Sequence, residues 1–193
     1  MADRVLRGNE TVLLMPAYVD ENGDPYVFHG SGVTPLHEMT TECLNYWIPV
    51  NSAKNPLANG GGNVSCAIKD DMALGKTDSD SDTDRTLCDA GQVEELTTEN
   101  YEGQMNGYKD ADPEADGAYN LFDKLTFAPD VLYVAAQRIG VRQNELATID
   151  ERWNLFLFST DVQVPNVAHN TNITVSQTLI PKSEVEFGYE LAA

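Results

Sequence analysis

The chain has 193 residues, of which 41% are apolar and 8% aromatic, a composition typical of a folded globular protein. Its formal net charge is −19, from 31 acidic and 12 basic residues. Because proteins that bind nucleic acids or anionic membranes need a basic surface, this charge argues against both classes. The sequence has no apolar run long enough for a signal peptide or a membrane span, so we expect no membrane partner.

The sequence contains no catalytic or cofactor-binding signature. It has no nucleophile elbow, phosphate-binding loop or zinc-protease motif, so we expect a protein that is not an enzyme and that holds no cofactor. Its three cysteines, Cys43, Cys66 and Cys88, lack the close spacing of a zinc or redox site. Their odd number favours free, partly buried thiols in a reducing cytosol over a disulfide framework.

Much of the chain alternates between apolar and polar residues, as β-strands do. Residues 1–10 are charged and predict an exposed arm, and Pro16 predicts that the first strand lies at an edge or a bend. Residues 63–69 predict a strand that follows a flexible glycine linker at 60–62. The predicted strands are residues 11–19, 42–50, 63–69, 92–98, 101–109, 131–136, 153–160 and 173–180.

One later segment has the features of an amphipathic α-helix. Asp112 is a suitable N-cap, Pro113 suits the first helical position, and Pro129 ends the pattern. The apolar stripe between them consists of Ala115, Ala118, Leu121, Phe122 and Leu125. A stripe with this spacing indicates core packing rather than a cofactor site. A single helical turn is also predicted at residues 34–39, with Thr34 as its cap.

These segments predict a mainly β fold in one domain, residues 1–193. Seven or eight strands with mostly short connections favour antiparallel pairing, in a β-sandwich or barrel with one helix on its flank. Two strand faces are candidates for the wet surface: one carries Ser65, Ala67 and Lys69, and the other carries Thr174, Ser176 and Thr178.

The most unusual stretch runs from Gly75 to Gly91. Aspartates occupy every second position from 78 to 84, and Lys76 and Arg85 are the nearest cations. Such a run cannot bury itself, so we predict a long solvated loop between two strands. Long loops inside compact domains are commonly functional or disordered, and this loop is therefore the main candidate for an interaction site.

A calcium site in the same stretch is an alternative that the spacing weakens. Asp78, Asp80 and Asp82 match the D-x-D-x-D opening of an EF-hand loop, but Thr83 stands where the turn needs glycine. Asp89 occupies the place of the expected bidentate glutamate, and no helical pattern flanks the run. A solvated charge run is favoured, and a calcium-stabilised β-sandwich that binds a ligand is the second hypothesis.

Eight short motifs follow one another along the chain. They are TPLHEM at 34–39, CAI at 66–68, ALGKTDSD at 73–80, TLCDAG at 86–91, NYEG at 100–103, YKDADP at 108–113, NIT at 172–174 and QTLIPK at 177–182. In this order they resemble the major tail proteins, or tail tube subunits, of long-tailed bacteriophages (siphoviruses), particularly those that infect actinobacteria. The resemblance extends from about residue 30 to the end, except for the insertion Leu44–Asn63.

This resemblance implies a β-sandwich or barrel protomer with a flanking helix. In the family, six protomers form a ring, and the rings stack into a tube together with tape-measure, tail tip and tail terminator proteins. DNA then transits the lumen into the host without specific binding. The implied location is the virion, after synthesis in the host bacterial cytoplasm. A tail terminator or connector subunit, which forms single rings, is the neighbouring alternative.

The resemblance also implies roles for three segments: an N-terminal arm at residues 1–40, an acidic inter-ring loop at 70–91 and a C-terminal arm at 181–193. The charged residues expected to contact the next ring are Lys76, Asp78, Asp80, Asp82, Asp84 and Arg85. Six copies with a charge of −19 each would carry about 114 negative charges, which would repel DNA phosphates wherever they line the lumen.

Overall fold

The computed structural model describes residues 9–30, 32–51, 60–77, 80–84, 93–98, 100–167 and 172–192. These residues form twelve β-strands and two α-helices, so the predicted mainly β fold is confirmed. The strands are β1 (Glu10–Val19), β2 (Pro25–His29), β3 (Gly32–Pro35), β4 (Gly62–Asn63), β5 (Ala73–Lys76), β6 (Asp80–Asp84), β7 (Val93–Thr98), β8 (Tyr101–Tyr108), β9 (Leu132–Ile139), β10 (Arg152–Thr160), β11 (Val164–Asn166) and β12 (Thr174–Glu190). The helices are α1 (Thr41–Trp47) and α2 (Ala118–Thr126), and a 3-10 helix spans Leu36–Glu38.

Ten of these strands belong to one sheet. Its order is β3-β2-β1-β9-β10-β12-β8-β5, and in addition β4 pairs with β1 and β11 pairs with β12. The strands β6 and β7 pair with each other in a separate two-stranded sheet. All the described pairings between these strands are antiparallel, as the short connections predicted.

The strands in the middle of the large sheet are buried on both faces, which explains their nearly continuous apolar sequences. In β1, Leu13 and Met15 lie in a core that includes α1, whereas Val12 and Leu14 lie in the opposite core, which includes α2. The strands β9 and β10 divide their side chains between the two cores in the same way. Each helix therefore covers one face, where the sequence had predicted one main helix.

The large sheet curls until the turn at residues 64–69 connects two distant strands. Val64 N donates a hydrogen bond to Val12 O of β1 at 3.0 Å, and Lys69 N donates to Asn106 O of β8 at 2.7 Å. Three strands separate β1 from β8 in the sheet order. The turn thus closes a barrel-like ring around the core that contains α2, and both strands gain partners for backbone groups.

Pro16 lies within the sheet, at a point where β1 changes partner. On one side it is opposite Tyr133 of β9. On the other side, β1 pairs with β4 at Leu13 and Leu14 and with β2 from Ala17 onward. Proline has no main-chain N–H to donate to a neighbouring strand. Because Pro16 lies where β1 changes partner, no interstrand hydrogen bond is lost there.

The first helix occupies residues predicted as a strand, 42–50. Thr40 caps α1, since its Oγ1 accepts a hydrogen bond from Cys43 N at 3.3 Å. Cys43, Leu44 and Trp47 recur at helical spacing and are all buried. The strand prediction was wrong because it gave more weight to the β propensity of the aromatic residues than to this helical period.

Residues 63–69 also differ from the prediction of a strand. After the two residues of β4, Ala67 N and Ile68 N both donate to Val64 O, which makes a helical turn. Ala67 is fully buried, so the wet strand face expected in this segment does not exist. The alternation in the sequence arose from a turn that packs one side against the barrel core.

The second helix begins later than predicted. Asp112 starts a separate turn, in which its Oδ1 accepts a hydrogen bond from Glu114 N at 3.0 Å. Asn120 of α2 holds that turn in place, because its Nδ2 donates to Asp112 O at 2.9 Å and to Ala115 O at 2.8 Å. The predicted apolar stripe is confirmed where it falls within α2, at Leu121, Phe122 and Leu125.

Strands occur within both segments expected to be arms, and β1 confirms the strand predicted at residues 11–19; the role of these segments as arms stays a prediction. Residues 10–35 of the expected N-terminal arm contain β1, β2 and β3. Residues 181–190 of the expected C-terminal arm form the second half of β12, where Val185 is opposite Phe156 of β10. The strands β2 and β3 lie among turn residues, and they depend on partners that local composition does not show. Residues 1–8 lie outside the described part of the chain.

The glycines at 60–62 are packed rather than serving as a linker. A Cβ added to Gly61 would lie 2.6 Å from Pro16 Cδ, 2.8 Å from Leu14 O and 2.8 Å from Trp47 Cζ3. Two of these atoms belong to the central strand β1 and the third to α1. Only glycine lets the backbone pass between them.

We expect the substitution Gly61→Ala to lower the free energy of unfolding by about 1–3 kcal/mol, because the new methyl group overpacks a rigid site. Gly75→Ala is the matched control, since a Cβ at Gly75 meets no atom within 4 Å. Urea denaturation followed by circular dichroism would measure both. Equal stability of the two variants would contradict the close packing of Gly61.

Candidate assembly surfaces

The acidic stretch forms part of a long antiparallel ribbon. At its base, β5 pairs with β8, with Lys76 opposite Tyr101. Farther out, β6 pairs with β7, with Asp84 opposite Val93. Apart from a local shift at Asp80, the pairs at the base and in the outer part follow one register. We therefore interpret the pairs β5–β8 and β6–β7 as consecutive parts of one hairpin.

The outer part of this ribbon leaves the large sheet. The sheet order ends at β5, and β6 and β7 pair only with each other among the described strands. The described strand Asp80–Asp84 alone spans about 13 Å at the usual rise of a strand. Both outer edges of a two-stranded ribbon carry backbone groups able to pair with another chain. The ribbon is thus a surface suited to contacts with a neighbouring molecule.

The structure places the predicted contact residues along this ribbon as far as it describes them. Lys76 ends β5, and Asp80, Asp82 and Asp84 belong to β6. The stretch predicted as a solvated loop therefore contains a strand, because the register set by β5 and β8 extends into it. Asp78 and Arg85 lie outside the described residues.

The described residues give no support to a metal centre. They contain no group of three or more His, Cys, Asp or Glu side chains able to hold a metal ion. Asp78 lies outside this search, so the calcium hypothesis stays untested. Cys43 and Cys66 are free thiols, and burial raises the pKa of Cys43 to about 12. Among the described helices, none is long and apolar enough to cross a bilayer.

A buried guanidinium organises the loop between β9 and β10. Arg138 is 2% exposed, and its Nη1 donates to Glu151 Oε2 at 2.9 Å. Its Nη2 donates to Glu145 O at 2.7 Å and to Arg142 O at 3.1 Å. The Arg138 Cζ also lies 4.8 Å from the ring centroid of Trp153. One side chain therefore satisfies several loop carbonyls and fixes the loop conformation.

The fixed loop presents apolar side chains to solvent. Asn45 of α1 pins its centre, because Asn45 Oδ1 accepts from Ala147 N at 2.6 Å and Asn45 Nδ2 donates to Ala147 O at 3.0 Å. On either side, Leu146 is 60% exposed and Ile149 is 55% exposed. The loop therefore holds these two apolar side chains in fixed, solvent-exposed positions.

A second group of exposed apolar residues lies at the other end of β10. Val162 and Val167 flank the short strand β11, and Val167 is 73% exposed. Phe127, directly after α2, is 72% exposed. The two ends of one strand thus carry different apolar surfaces, as head-to-tail contacts between identical copies require.

The structure is thus that of a mainly β protein with a two-stranded ribbon outside its large sheet and exposed apolar side chains at both ends of β10. The chain matches the model of a family described as phage tail tube protein over residues 54–193, which include β4 to β12. No curated protein matches it. Since the matched region is more than half of the chain, the protein belongs to the phage tail tube protein family. The family predicted from the sequence motifs is therefore confirmed, while the actinobacterial subgroup stays a prediction.

Membership identifies the protein as a structural component of a phage virion. The sequence motifs found the family but missed the residues that shape its surfaces. Arg138 had one signal, since it is the single cation in the mostly apolar strand β9. Asn45 had none, because its partner Ala147 is far away in the sequence and becomes a neighbour only in the fold.

We expect Glu151→Gln to lower the free energy of unfolding at pH 7 by about 1–3 kcal/mol, since it removes the charged partner of a buried guanidinium. Burial raises the pKa of Glu151, but hydrogen bonds from Arg138 and Thr148 lower it further than burial raises it. The ion pair with Arg138 therefore stabilises the fold fully at pH values above 4.5, the ordinary pKa of a glutamate carboxyl. This stabilisation is lost as the pH falls through the lower pKa that Glu151 has in the folded protein.

Urea titrations between pH 7 and pH 3 would measure this contribution. The substituted protein should lose less stability on acidification than the original chain does. Glu145→Gln is the control, because Arg138 binds the main-chain carbonyl of Glu145 rather than its carboxylate. Parallel stability curves for the original chain and Glu151→Gln would contradict the prediction.

Proposed function

We propose that six copies of this protein form a ring and that the rings stack into the tail tube of a long-tailed phage, through which DNA enters the host. The observation that carries this proposal is the ribbon of β5–β6 and β7–β8, which continues the register of the sheet edge outward. Because β6 and β7 lie outside the large sheet, the ribbon has the reach to contact a neighbouring ring rather than only its own protomer. Membership of the phage tail tube protein family supports assembly into a tube.

Ring closure would use the ends of the large sheet. The described sheet ends at β3 on one side and at β5 on the other. Unpaired strand edges invite pairing with other chains, and closure into a ring removes them. Joining neighbouring copies at such edges gives a continuous wall without requiring a new fold.

Stacking would use the acidic ribbon. Lys76, Asp78, Asp80, Asp82, Asp84 and Arg85 are the residues proposed to contact the next ring. Asp82 is directly opposite Glu95, and like charges in this position destabilise an isolated strand pair. Contact with cationic groups of a neighbour would relieve that repulsion through charge-assisted hydrogen bonds.

The charge of the assembly would suit DNA transport. Six copies at −19 each amount to about 114 negative charges per ring. Where these charges line the lumen they would repel phosphates, so DNA would be cargo and not a ligand. In this proposal the tube is built in the host cytoplasm with tape-measure, tail tip and tail terminator proteins, and it carries out no catalysis.

We expect the purified protein to form rings and stacked tubes in a concentration-dependent way. Negative-stain electron microscopy and analytical ultracentrifugation would detect them. Single rings that never stack would instead favour the tail terminator or connector alternative. A folded protein that stays monomeric at high concentration would contradict the proposal.

We expect a protein without the outer ribbon to fold and form rings but not tubes. Thr77 N donates to Asn100 O at 2.8 Å, so residues 78–99 can be replaced by the two-residue turn Asn-Gly without breaking the base of the ribbon. Circular dichroism would confirm folding, and microscopy would show rings alone. Tubes of ordinary length from this variant would show that the ribbon has no role in stacking.

A further inference from the structure

A cleft opens beside the exposed thiol of Cys66, where three segments of the chain meet. These segments are the end of α1, the turn at residues 64–69 and the loop between β9 and β10. The apolar part of its lining comes from Ile48, Pro49 and Leu146. The volume of this Cys66 cleft is about 210 Å³, and a cavity of about 150 Å³ is enough to hold a benzene ring. The cleft therefore has room for one aromatic side chain.

Hydrogen bonds between the walls fix the shape of the Cys66 cleft. Asn63 is 5% exposed, and its Nδ2 donates to Ile48 O at 2.9 Å and to Gln143 O at 2.7 Å. This one amide joins the end of α1 to the loop after β9. Gln143 Nε2 donates in turn to Cys66 Sγ at 3.4 Å. A cleft whose walls are already fixed loses little conformational entropy when a side chain fills it.

Phe127, directly after α2, is an exposed aromatic side chain on a fixed backbone. Its ring is 72% exposed. The residue before it is held because Thr126 Oγ1 donates to Phe122 O and accepts from Gln163 Nε2, both at 2.9 Å. The residue after it is held because Ala128 O accepts from Thr160 Oγ1 at 2.7 Å. A large ring presented in this way offers contact area at a small entropic cost.

Phe127 does not fill the cleft of its own chain. The register places Asn63 level with Leu155 of β10, through Leu13 of β1 and Ala136 of β9. Thr160, beside Phe127, is five residues farther along β10, or about 16 Å at the usual rise of a strand. The ring and the cleft are therefore two separate surfaces of one protomer.

Charges of both signs lie beside each of the two surfaces. Arg142 and Glu145 belong to the loop that lines the cleft, and Lys124 and Asp130 lie on either side of Phe127 in the sequence. All four are exposed, and they take part in none of the ion pairs among the described residues. Each cation of one surface has an acid on the other, so two copies of this acidic chain can meet here without net repulsion.

We propose that Phe127 of one copy inserts into the Cys66 cleft of a neighbouring copy and packs against Leu146 there. The contact joins two different surfaces, so its repetition builds rings or filaments rather than closed pairs. The proposal rests on the proposed function in one respect, because the tube is what brings neighbouring copies together. The contact is separate from the acidic ribbon and from the sheet edges.

A disulfide with the native thiol tests the insertion directly. In a Cys88→Ser background, Phe127→Cys would place a second thiol in the cleft of the next copy, beside Cys66. We expect oxidation of the assembled protein to give dimers, trimers and longer chains on a non-reducing denaturing gel, because each copy carries both thiols. Cys43 is buried, which raises its pKa to about 12 and keeps its thiol unreactive.

Two variants in the same Cys88→Ser background control for other cross-links. Phe127→Cys combined with Cys66→Ser has one reactive thiol and should give no product longer than a dimer. Val19→Cys with the native Cys66 places a thiol at another exposed position, since Val19 is 45% exposed, and should give no ladder. A ladder from either control would overturn the proposal.

The outcomes separate this proposal from the proposed function. Tubes of the Phe127→Cys variant that give no ladder on oxidation would overturn the insertion and leave the proposed tube intact. If the original chain forms no assembly and the variant gives no ladder, both proposals are overturned.

Truncation of the two side chains provides an independent measurement. We expect Phe127→Ala to leave urea unfolding of the protomer unchanged, since the ring is exposed, and to raise the concentration needed for assembly about tenfold. Leu146→Ala should also raise that concentration. The double variant should raise it by less than the product of the two separate factors, because both changes remove the same contact. Factors that simply multiply, or no loss from Phe127→Ala, would overturn the proposed contact.

Discussion

The turn at residues 64–69 is the constraint on which most of this structure depends. Its main-chain hydrogen bonds to β1 and β8 close the curled sheet around Leu121 and Phe122 of α2. Closure fixes the position of β8, and the register of β8 in turn sets the direction of the acidic ribbon. The sheet end formed by β1, β2 and β3 and the ribbon both extend beyond the closed barrel core. These two parts carry the surfaces proposed for ring closure and stacking.

The sequence was sufficient for the parts of the fold that local patterns specify. The mainly β class and the stripe of α2 follow from periodicity, and β10 follows from its nearly continuous run of apolar residues, because its side chains are buried on both faces. The start of α2 could not be placed, since Asp112 caps a separate turn that Asn120 joins to the helix. The helix α1 was mistaken for a strand because seven residues contain too little periodicity to outweigh aromatic composition.

The assembly surfaces were less accessible to prediction, because they depend on neighbours that are distant in sequence. The acidic stretch has no apolar alternation and becomes a strand only because β5 and β8 extend their register into it. Gly61 had the composition of a linker and is instead enclosed by β1 and α1. Arg138 is noticeable in the sequence as the single cation of a mostly apolar strand. The loop carbonyls that it binds come together only in the folded chain, so the sequence could not show them.

The distribution of charge suggests why such a protein can remain dispersed before it assembles. A two-stranded ribbon is only marginally stable in water, and β6 and β7 pair only with each other among the described strands. The carboxylates of Asp20, Glu21, Asp24 and Glu38, which lie in the turn after β1 and directly after β3, take part in none of the ion pairs among the described residues. In a chain with 31 acidic residues and 12 basic ones, random encounters between copies are repulsive on average. Association is then favoured only where the few cations of one copy meet the acidic surfaces of another, which selects one ordered mode of contact over aggregation.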